Sequence, residues 1–326
     1  MALRLRHIHL PGLPSYAVAS EIQELLRRRL LDSKDATDPR RRRPPPPTLL
    51  SFTPAPTYTL GRRQSLADLT PSEAERLTQP LRIVSSQSVD ASDAGADAAG
   101  LRPTVVESPR GGLTTYHGPR QVVLWPILDL KSEQYKQFSV RCYSRLLEDV
   151  TIATLRRRWG IEGFTTEDPG VWVWARQEPG ASSAKREAAK ISALGVHLRR
   201  HVSASGVAIN IDLPRWRVGD PPTLQDLEEN PWARIVACGL EGKRVTSVVP
   251  ELASEEEQHA LALGMASSPD KEGRAIAWEW AAELARRLEL GDARNGQVEA
   301  QEELVDMLDE PVVSEMLRAV ERRVRA

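Results

Sequence analysis

The sequence predicts a mixed α/β (α+β) fold in which a sheet is flanked by helices, and three observations carry that prediction. Short runs such as Leu49-Leu50-Ser51-Phe52 and Thr57-Tyr58-Thr59-Leu60 have the β-branched and aromatic character of strands. Amphipathic stretches with apolar residues at helical spacing lie elsewhere along the chain. The two kinds of segment alternate loosely over 326 residues, of which 40% are hydrophobic and 27% charged, enough for one elaborated domain with a sizeable core.

The first ten residues allow two readings. They form an N-terminal strand, or they begin a presequence, since Arg4 and Arg6 precede the first acidic residue, Glu21. From Tyr16 to Leu31, the residues Val18, Ile22, Leu25, Leu26 and Leu30 recur at helical spacing and predict an amphipathic helix. A charge block, Arg40 to Arg43, and the proline run Pro44 to Pro47 follow. They suit neither a helix nor a central strand, so about 32–48 reads as a solvated insertion. The stretch rich in Ser, Ala, Asp and Gly at about 86–102 reads the same way, and a third insertion is placed at about 176–188.

Strands are expected at Thr104 to Val106, Gly170 to Trp174, Ile191 to Leu198 and Val207 to Ile211. Val122 to Ile127 is continuously apolar, as a strand covered on both faces should be. Helices are expected from about Lys136 to Trp159 and from Trp278 to Leu290. Residues 1–290 thus read as a single domain with loop insertions. Residues 291–326 read as an acidic C-terminal extension with helical propensity and little apolar surface.

A formal net charge of −1 makes nucleic acid an unexpected partner. The two cysteines, Cys142 and Cys238, and the six histidines show no metal-ligand spacing, so no metal is assigned. No apolar stretch is long enough to span a bilayer, and the N-terminus lacks the apolar region of a secretory signal.

Three segments hold residue types suited to chemistry. The first is Arg110-Gly111-Gly112-Leu113-Thr114-Thr115-Tyr116-His117-Gly118-Pro119, where paired glycines let backbone approach a ligand closely. The same residues would also make a tight structural loop, and no phosphate-binding GxxxxGK[ST] pattern occurs. In the second, Lys190 precedes the nearly apolar Ile191-Ser192-Ala193-Leu194-Gly195-Val196. It reads as a snorkelling edge residue or, drawn into a pocket, as a base with a lowered pKa. The third, Ile235-Val236-Ala237-Cys238-Gly239-Leu240, either packs its thiol inertly or presents it at a turn. Cys142, inside a predicted helix with no such surroundings, reads as structural.

In this order, Arg-Gly-Gly-x-x-Thr-Tyr-His-Gly-Pro, Gly170-Val171-Trp172-Val173, Lys-Ile-x-x-Leu-Gly-Val, Gly206-Val207-Ala208-Ile209-Asn210, Cys-Gly-Leu and Val245-Thr246-Ser247 closely resemble the lipoyl(octanoyl) transferases. Tyr58-Thr59-Leu60-Gly61-Arg62-Arg63 adds to a resemblance that covers most of Pro11 to about Val249. It implies a biotin ligase/lipoate ligase-like mixed sheet, with 1–290 as the catalytic domain. It also implies a reaction: octanoyl is taken from octanoyl-acyl carrier protein onto a cysteine thioester and passed to a lysine of lipoyl domains, those of glycine cleavage H protein and the 2-oxoacid dehydrogenases. Carried over by position, Cys238 is the acyl-bearing cysteine and Lys190 the residue that activates it. Substrate binding falls to Arg110, Gly111, Gly112, Leu113, Thr114, Thr115, Tyr116 and His117, to Ala193, Leu194 and Gly195, and to Gly206, Val207 and Ala208.

No cofactor is implied. The insertions resemble those of eukaryotic members and imply a mitochondrial protein. The chain departs from the family at Leu113, where Gln is usual, at Arg120, where Gly is usual, and at Ser205, where His is usual. Two alternatives remain, an ATP-dependent lipoate or biotin protein ligase of the same fold and a non-catalytic acyl-carrier-binding homologue.

Overall fold

The structure, a computed structural model, describes residues 3–38, 43–83, 85, 100–177, 186–217, 220–235, 242–290 and 304–325. Its first element is a strand, β1 (Leu5–Leu10), which settles the local conformation of the N-terminal residues. Helix α1 (Tyr16–Asp35) follows, capped by Ser15, whose Oγ accepts from the Val18 N–H at 3.3 Å. It runs to Asp35 rather than Leu31, into the start of the expected first insertion.

Next come β2 (Thr48–Phe52), β3 (Thr57–Leu60), α2 (Pro71–Thr78), β4 (Thr104–Glu107), β5 (Thr115–His117) and β6 (Gln121–Ile127). Helix α3 (Val140–Trp159) starts at its Ser139 cap and ends at Gly160, whose φ of 65° closes the last turn. After it lie β7 (Gly163–Phe164), β8 (Gly170–Trp174), β9 (Ala188–Arg199), β10 (Val202–Asn210), β11 (Trp216–Arg217), α4 (Leu224–Glu229) and β12 (Arg244–Val245). The chain closes with α5 (Glu255–Ser267), α6 (Pro269–Arg287), β13 (Val305–Met307) and α7 (Glu310–Arg325).

Among the described residues ten strands form one mixed sheet in the order β11-β12-β9-β10-β6-β2-β1-β13, with β8 also paired to β9 and β7 to β8. A smaller sheet, β4-β3-β5, stands beside it. The apolar run of β6 is covered on both faces, as its sequence requires. Val122 and Leu124 join a core with Leu147 and Val150 of α3 and Ile276 and Trp280 of α6. Val123, Trp125 and Ile127 join Ile22 and Leu30 of α1 on the other face. A third cluster, with Tyr58, Tyr116, Trp172, Trp232 and Ile235, fills the space between the small sheet and the main one.

The C-terminal residues depart from the expected acidic extension. β13 pairs in parallel with the edge of β1, and α7 packs against α1 through Val313, Met316, Leu317 and Val320. Those positions are spaced i, i+3, i+4 and i+7, so a helix with one apolar stripe was encoded within an acidic composition. The glycines and alanine-rich residues of about 86–99, and 178–185 of the third insertion, lie outside the described residues.

Candidate active site

The site forms on the α1-facing side of β9 and β10. Their antiparallel register places Gly195 opposite Gly206 and Ala193 opposite Ala208. Paired residues of neighbouring strands point to the same face, so two cross-strand pairs with little or no side chain make a floor. At Gly206 the missing side chain is obligatory, because a Cβ would lie 2.2 Å from the Leu124 carbonyl oxygen. Leu194 and Val207 belong to the core beneath the sheet, and border the cleft through their backbone.

Above the floor stand Tyr16, Arg110, Thr115, His117, Trp125 and Ser205. The cleft is narrow, with a volume of about 20 Å³, the space of about one water. A larger cavity of about 650 Å³, between α6, β1 and β13, contains none of the motif residues.

The Arg110 guanidinium works on its own loop. It donates to the Thr59 carbonyl at 2.7 Å, to Thr59 Oγ1 at 2.6 Å, to the Gly111 carbonyl at 2.9 Å and to the Leu113 carbonyl at 2.9 Å. The loop is joined to β9 by the Gly111 N–H and the Val196 carbonyl, 3.3 Å apart. Gly112, at φ 94°, lies so close to Gly61 that a Cβ on Gly61 would meet its carbonyl oxygen at 2.2 Å. Alternation along β5 sends Thr115 and His117 to the cleft and Tyr116 the other way, into the aromatic cluster 5.4 Å from Tyr58. Thr114 donates to Gln64 at 2.8 Å. Of the residues expected to bind substrate, Gly111, Gly112, Leu113, Thr114 and Tyr116 therefore shape the loop, and the other nine border the cleft.

His117 is buried and stacks on Tyr16 with ring centroids 5.6 Å apart. Burial, reinforced by the Arg110 charge, pulls its pKa down to about 3, so the imidazole is neutral. Tyr16, in turn, meets the edge of Trp125 at 5.3 Å and shares a 3.1 Å hydrogen bond with Ser108. Neither Tyr16 nor Trp125 belongs to a sequence motif. Their signal was only position: Tyr16 opens α1 behind its Ser15 cap, and Trp125 precedes a proline in β6 across from Gly206.

Lys190 reaches the same face by way of an irregularity. β8 and β9 pair Gly170 with Ala193, Val171 with Ser192, and then Trp172 with Lys190, skipping Ile191. The bulge lets Lys190 and Ala193, three residues apart, share a face that strict alternation would deny them. Lys190 is 6% exposed. Its Nζ stands 5.3 Å from the Trp172 ring centroid, and its Cε lies 3.0 Å from where Gly170 would carry a Cβ. Gly170, at φ 125°, is thus the notch through which the lysine passes. On the other side of β9 the Thr246 N–H donates to the Lys190 carbonyl at 2.9 Å, where β12 pairs in parallel.

Cys238 lies outside the described residues. The residues on either side of that stretch both lead to Trp172: Ile235 shares its cluster, and Lys243 Nζ is 5.9 Å from its ring. Cys142 is not a packing residue. It is exposed in the first turn of α3, where its N–H donates to Ser139 Oγ at 3.1 Å.

The three departures have local accounts. At Leu113 the loop uses the backbone carbonyl, which any residue supplies. Arg120 holds φ 66°, the conformation glycine takes without strain, and its guanidinium pairs with the fully buried Asp212. Ser205 also has a positive φ, 59°, and its N–H donates to Gln23 Oε1 of α1 at 2.9 Å, tying the helix to the cleft. Among the described residues no cluster of metal-ligating side chains occurs, and no helix is long and apolar enough to cross a membrane.

Comparison with known proteins shows one consistent similarity. A probable octanoyltransferase of Schizosaccharomyces pombe is 34% identical over 201 residues, 61% of this chain and 66% of the relative. The mitochondrial octanoyltransferase of Saccharomyces cerevisiae is 28% identical over 233 residues, 69% of this chain and 57% of the relative. The chain thus spans less than two thirds of either yeast protein. The mitochondrial octanoyl-[acyl-carrier-protein]:protein N-octanoyltransferase LIPT2 of Danio rerio is 32% identical over 249 residues, 76% of this chain and 83% of that protein. Among solved structures, LipL1 of P. falciparum in complex with lipoate superposes over 97% of this chain and 71% of its own, with a TM-score of 0.49 and 12% identity. With the model of the lipoyl protein ligase A/B catalytic domain matching residues 26–261, this chain belongs to that family.

Proposed function

We propose that this protein is an octanoyltransferase that moves an octanoyl group from acyl carrier protein to the lysine of a lipoyl domain through a thioester on Cys238. The observation that carries the reading is the small-residue floor, Gly195 against Gly206 and Ala193 against Ala208, continuing along β9 to Lys190 on the same face. A floor without side chains suits an unbranched acyl chain. The walls, Trp125 and the Tyr16–His117 stack, supply apolar and aromatic surface. Because the cleft holds about one water as it stands, the chain enters by displacing the Tyr16 or His117 side chains.

In the proposed reaction the Cys238 thiolate attacks the donor thioester carbonyl and expels the carrier thiol. The neutral amine of the acceptor lysine then attacks the enzyme thioester, its nitrogen bonding to the acyl carbon as the C–S bond breaks, so that the amide forms, one amine proton passes to solvent and the Cys238 thiolate is released. Lys190 stabilises the thiolate. Neutral His117 orients the acyl group or its own loop without adding charge to the apolar cleft. The relatives named as mitochondrial support a mitochondrial location, and the name of the Danio rerio relative supports acyl carrier protein as donor. Acceptors are lipoyl domains, including those of glycine cleavage H protein and 2-oxoacid dehydrogenases.

The test is transfer to an apo-lipoyl domain. Octanoyl-acyl carrier protein without nucleotide should octanoylate it in the presence of this enzyme. Labelling that instead needs ATP and free octanoate would assign a ligase, and binding without transfer would assign a non-catalytic homologue.

A further inference from the structure

We propose that Glu148 and Trp172 are positioning residues that hold Lys190 as an ammonium ion, so that it stabilises a thiolate by charge rather than acting as a neutral base. The inference rests on the proposed role of Lys190 and chooses between the two ways a lysine can activate a thiol.

The geometry comes from both sides of the notch. Trp172 presents its ring at 5.3 Å from the Lys190 Nζ, a contact that is attractive only while the amine is charged. From beneath, α3 brings the buried Glu148 to the start of β8, where its Oε1 accepts from the Gly170 N–H at 2.9 Å. Gly170 is the residue whose missing Cβ leaves room for Lys190 Cε. One carboxylate therefore fixes the notch and places a negative charge close to the lysine that fills it. Burial, with a smaller push from Asp149, holds the Glu148 pKa above its ordinary value, against the Gly170 hydrogen bond and the charges of Arg145 and Lys190, which lower it.

Other charged groups on the neighbouring elements have ion-pair partners of their own. Lys243 lies 5.9 Å from the same ring but is ion-paired with Asp168. Buried Glu251 accepts from Thr246 Oγ1 at 2.6 Å and pairs with Arg215 at 3.0 Å. Arg145 and Asp149, on α3, pair with each other at 3.0 Å. What opposes the ammonium is the burial of Lys190 itself. In this scheme Lys190 keeps its proton throughout. The Cys238 thiol loses its proton to solvent, its sulfur bonds to the acyl carbon as the carrier C–S bond breaks, and the carrier thiolate takes a proton from solvent.

The chain has seven lysines, so lysine labelled with ¹³C at Cε gives a spectrum in which Lys190 is assigned by its loss in Lys190→Arg. In the wild type the Lys190 signal should stay at its ammonium position up to about pH 9. Glu148→Gln retains a carbonyl acceptor for the Gly170 N–H and removes only the charge. It should lower the midpoint by about one unit, a tenfold rise in the neutral fraction. Trp172→Phe should lower it by less, and decides the matter if Glu148→Gln does not fold. A wild-type Lys190 neutral near about pH 7.5, or midpoints unmoved in both variants, would overturn the proposal. No acyl transfer enters this measurement, so its failure is separable from failure of the Cys238 reaction.

Discussion

Glycine and alanine do different work at four neighbouring points of β9 and β10. Gly206 has no room for a Cβ against the Leu124 carbonyl, whereas Ala208 is buried with its methyl group bordering the cleft, so a larger side chain there takes up the space of the acyl chain. Ala208→Leu is expected to shorten the acyl chain the enzyme accepts. Octanoyl transfer should fall at least about tenfold, while butanoyl transfer is retained, as one methylene in an apolar pocket is worth roughly 1–3 kcal/mol. Competition between the two donors, read by mass on the acceptor, checks this.

Much of the site at this scale was legible in the sequence. Nine motif residues border one cleft, because the motifs lie on paired strands whose register brings them together. Tyr16 and Trp125 were not legible, since each comes from a distant element and carries no pattern of its own. Nor was the bulge that turns Lys190 toward Ala193, because skipping Ile191 depends on the partner strand β8.

At the scale of elements, β9 is the organising strand. Its first half pairs with β8 and β12 and its second with β10, so Lys190 sits where the neighbour on one side changes. The longer strands and α1, α3 and α6 were expected from composition and periodicity. α5, β12 and β13 were not, being short or weakly patterned. The C-terminal pair misled through its charge: α7 is rich in Glu and Arg yet buries Val313 and Val320. It shields the sheet together with β13, which covers the β1 edge. Val320→Asp places a carboxylate in that contact and should cost about 2–4 kcal/mol, lowering the urea midpoint. A change under about 0.5 kcal/mol would mean that α7 does not dock in solution.

Across the whole molecule the main sheet divides the protein into a face that is packed by α3 and α6 and a face that carries the cleft. Both faces bury neutral histidines. His7 and His9 flank Ser51 Oγ at 2.8 Å each, and burial lowers their pKa values to about 3 and about 4. With His117 at about 3, three groups stay unprotonated in the fold at pH values where the unfolded chain, near 6.5, takes up protons. Their contribution is complete above about pH 6.5 and is lost as pH falls toward 4 and then 3, at about 1.4 kcal/mol per pH unit for each proton of difference. Urea midpoints should fall steadily below about pH 6, and His117→Phe should flatten the slope by about one proton.

The central claim is that one thiol carries the acyl group. Full-length protein incubated with octanoyl-acyl carrier protein and measured by intact mass should gain a single octanoyl group, located on the peptide containing Cys238. The adduct should be lost on addition of an apo-lipoyl domain and absent in Cys238→Ser, while Cys142→Ser forms it normally. An active enzyme that shows no adduct, or an adduct that persists in Cys238→Ser, would contradict the account.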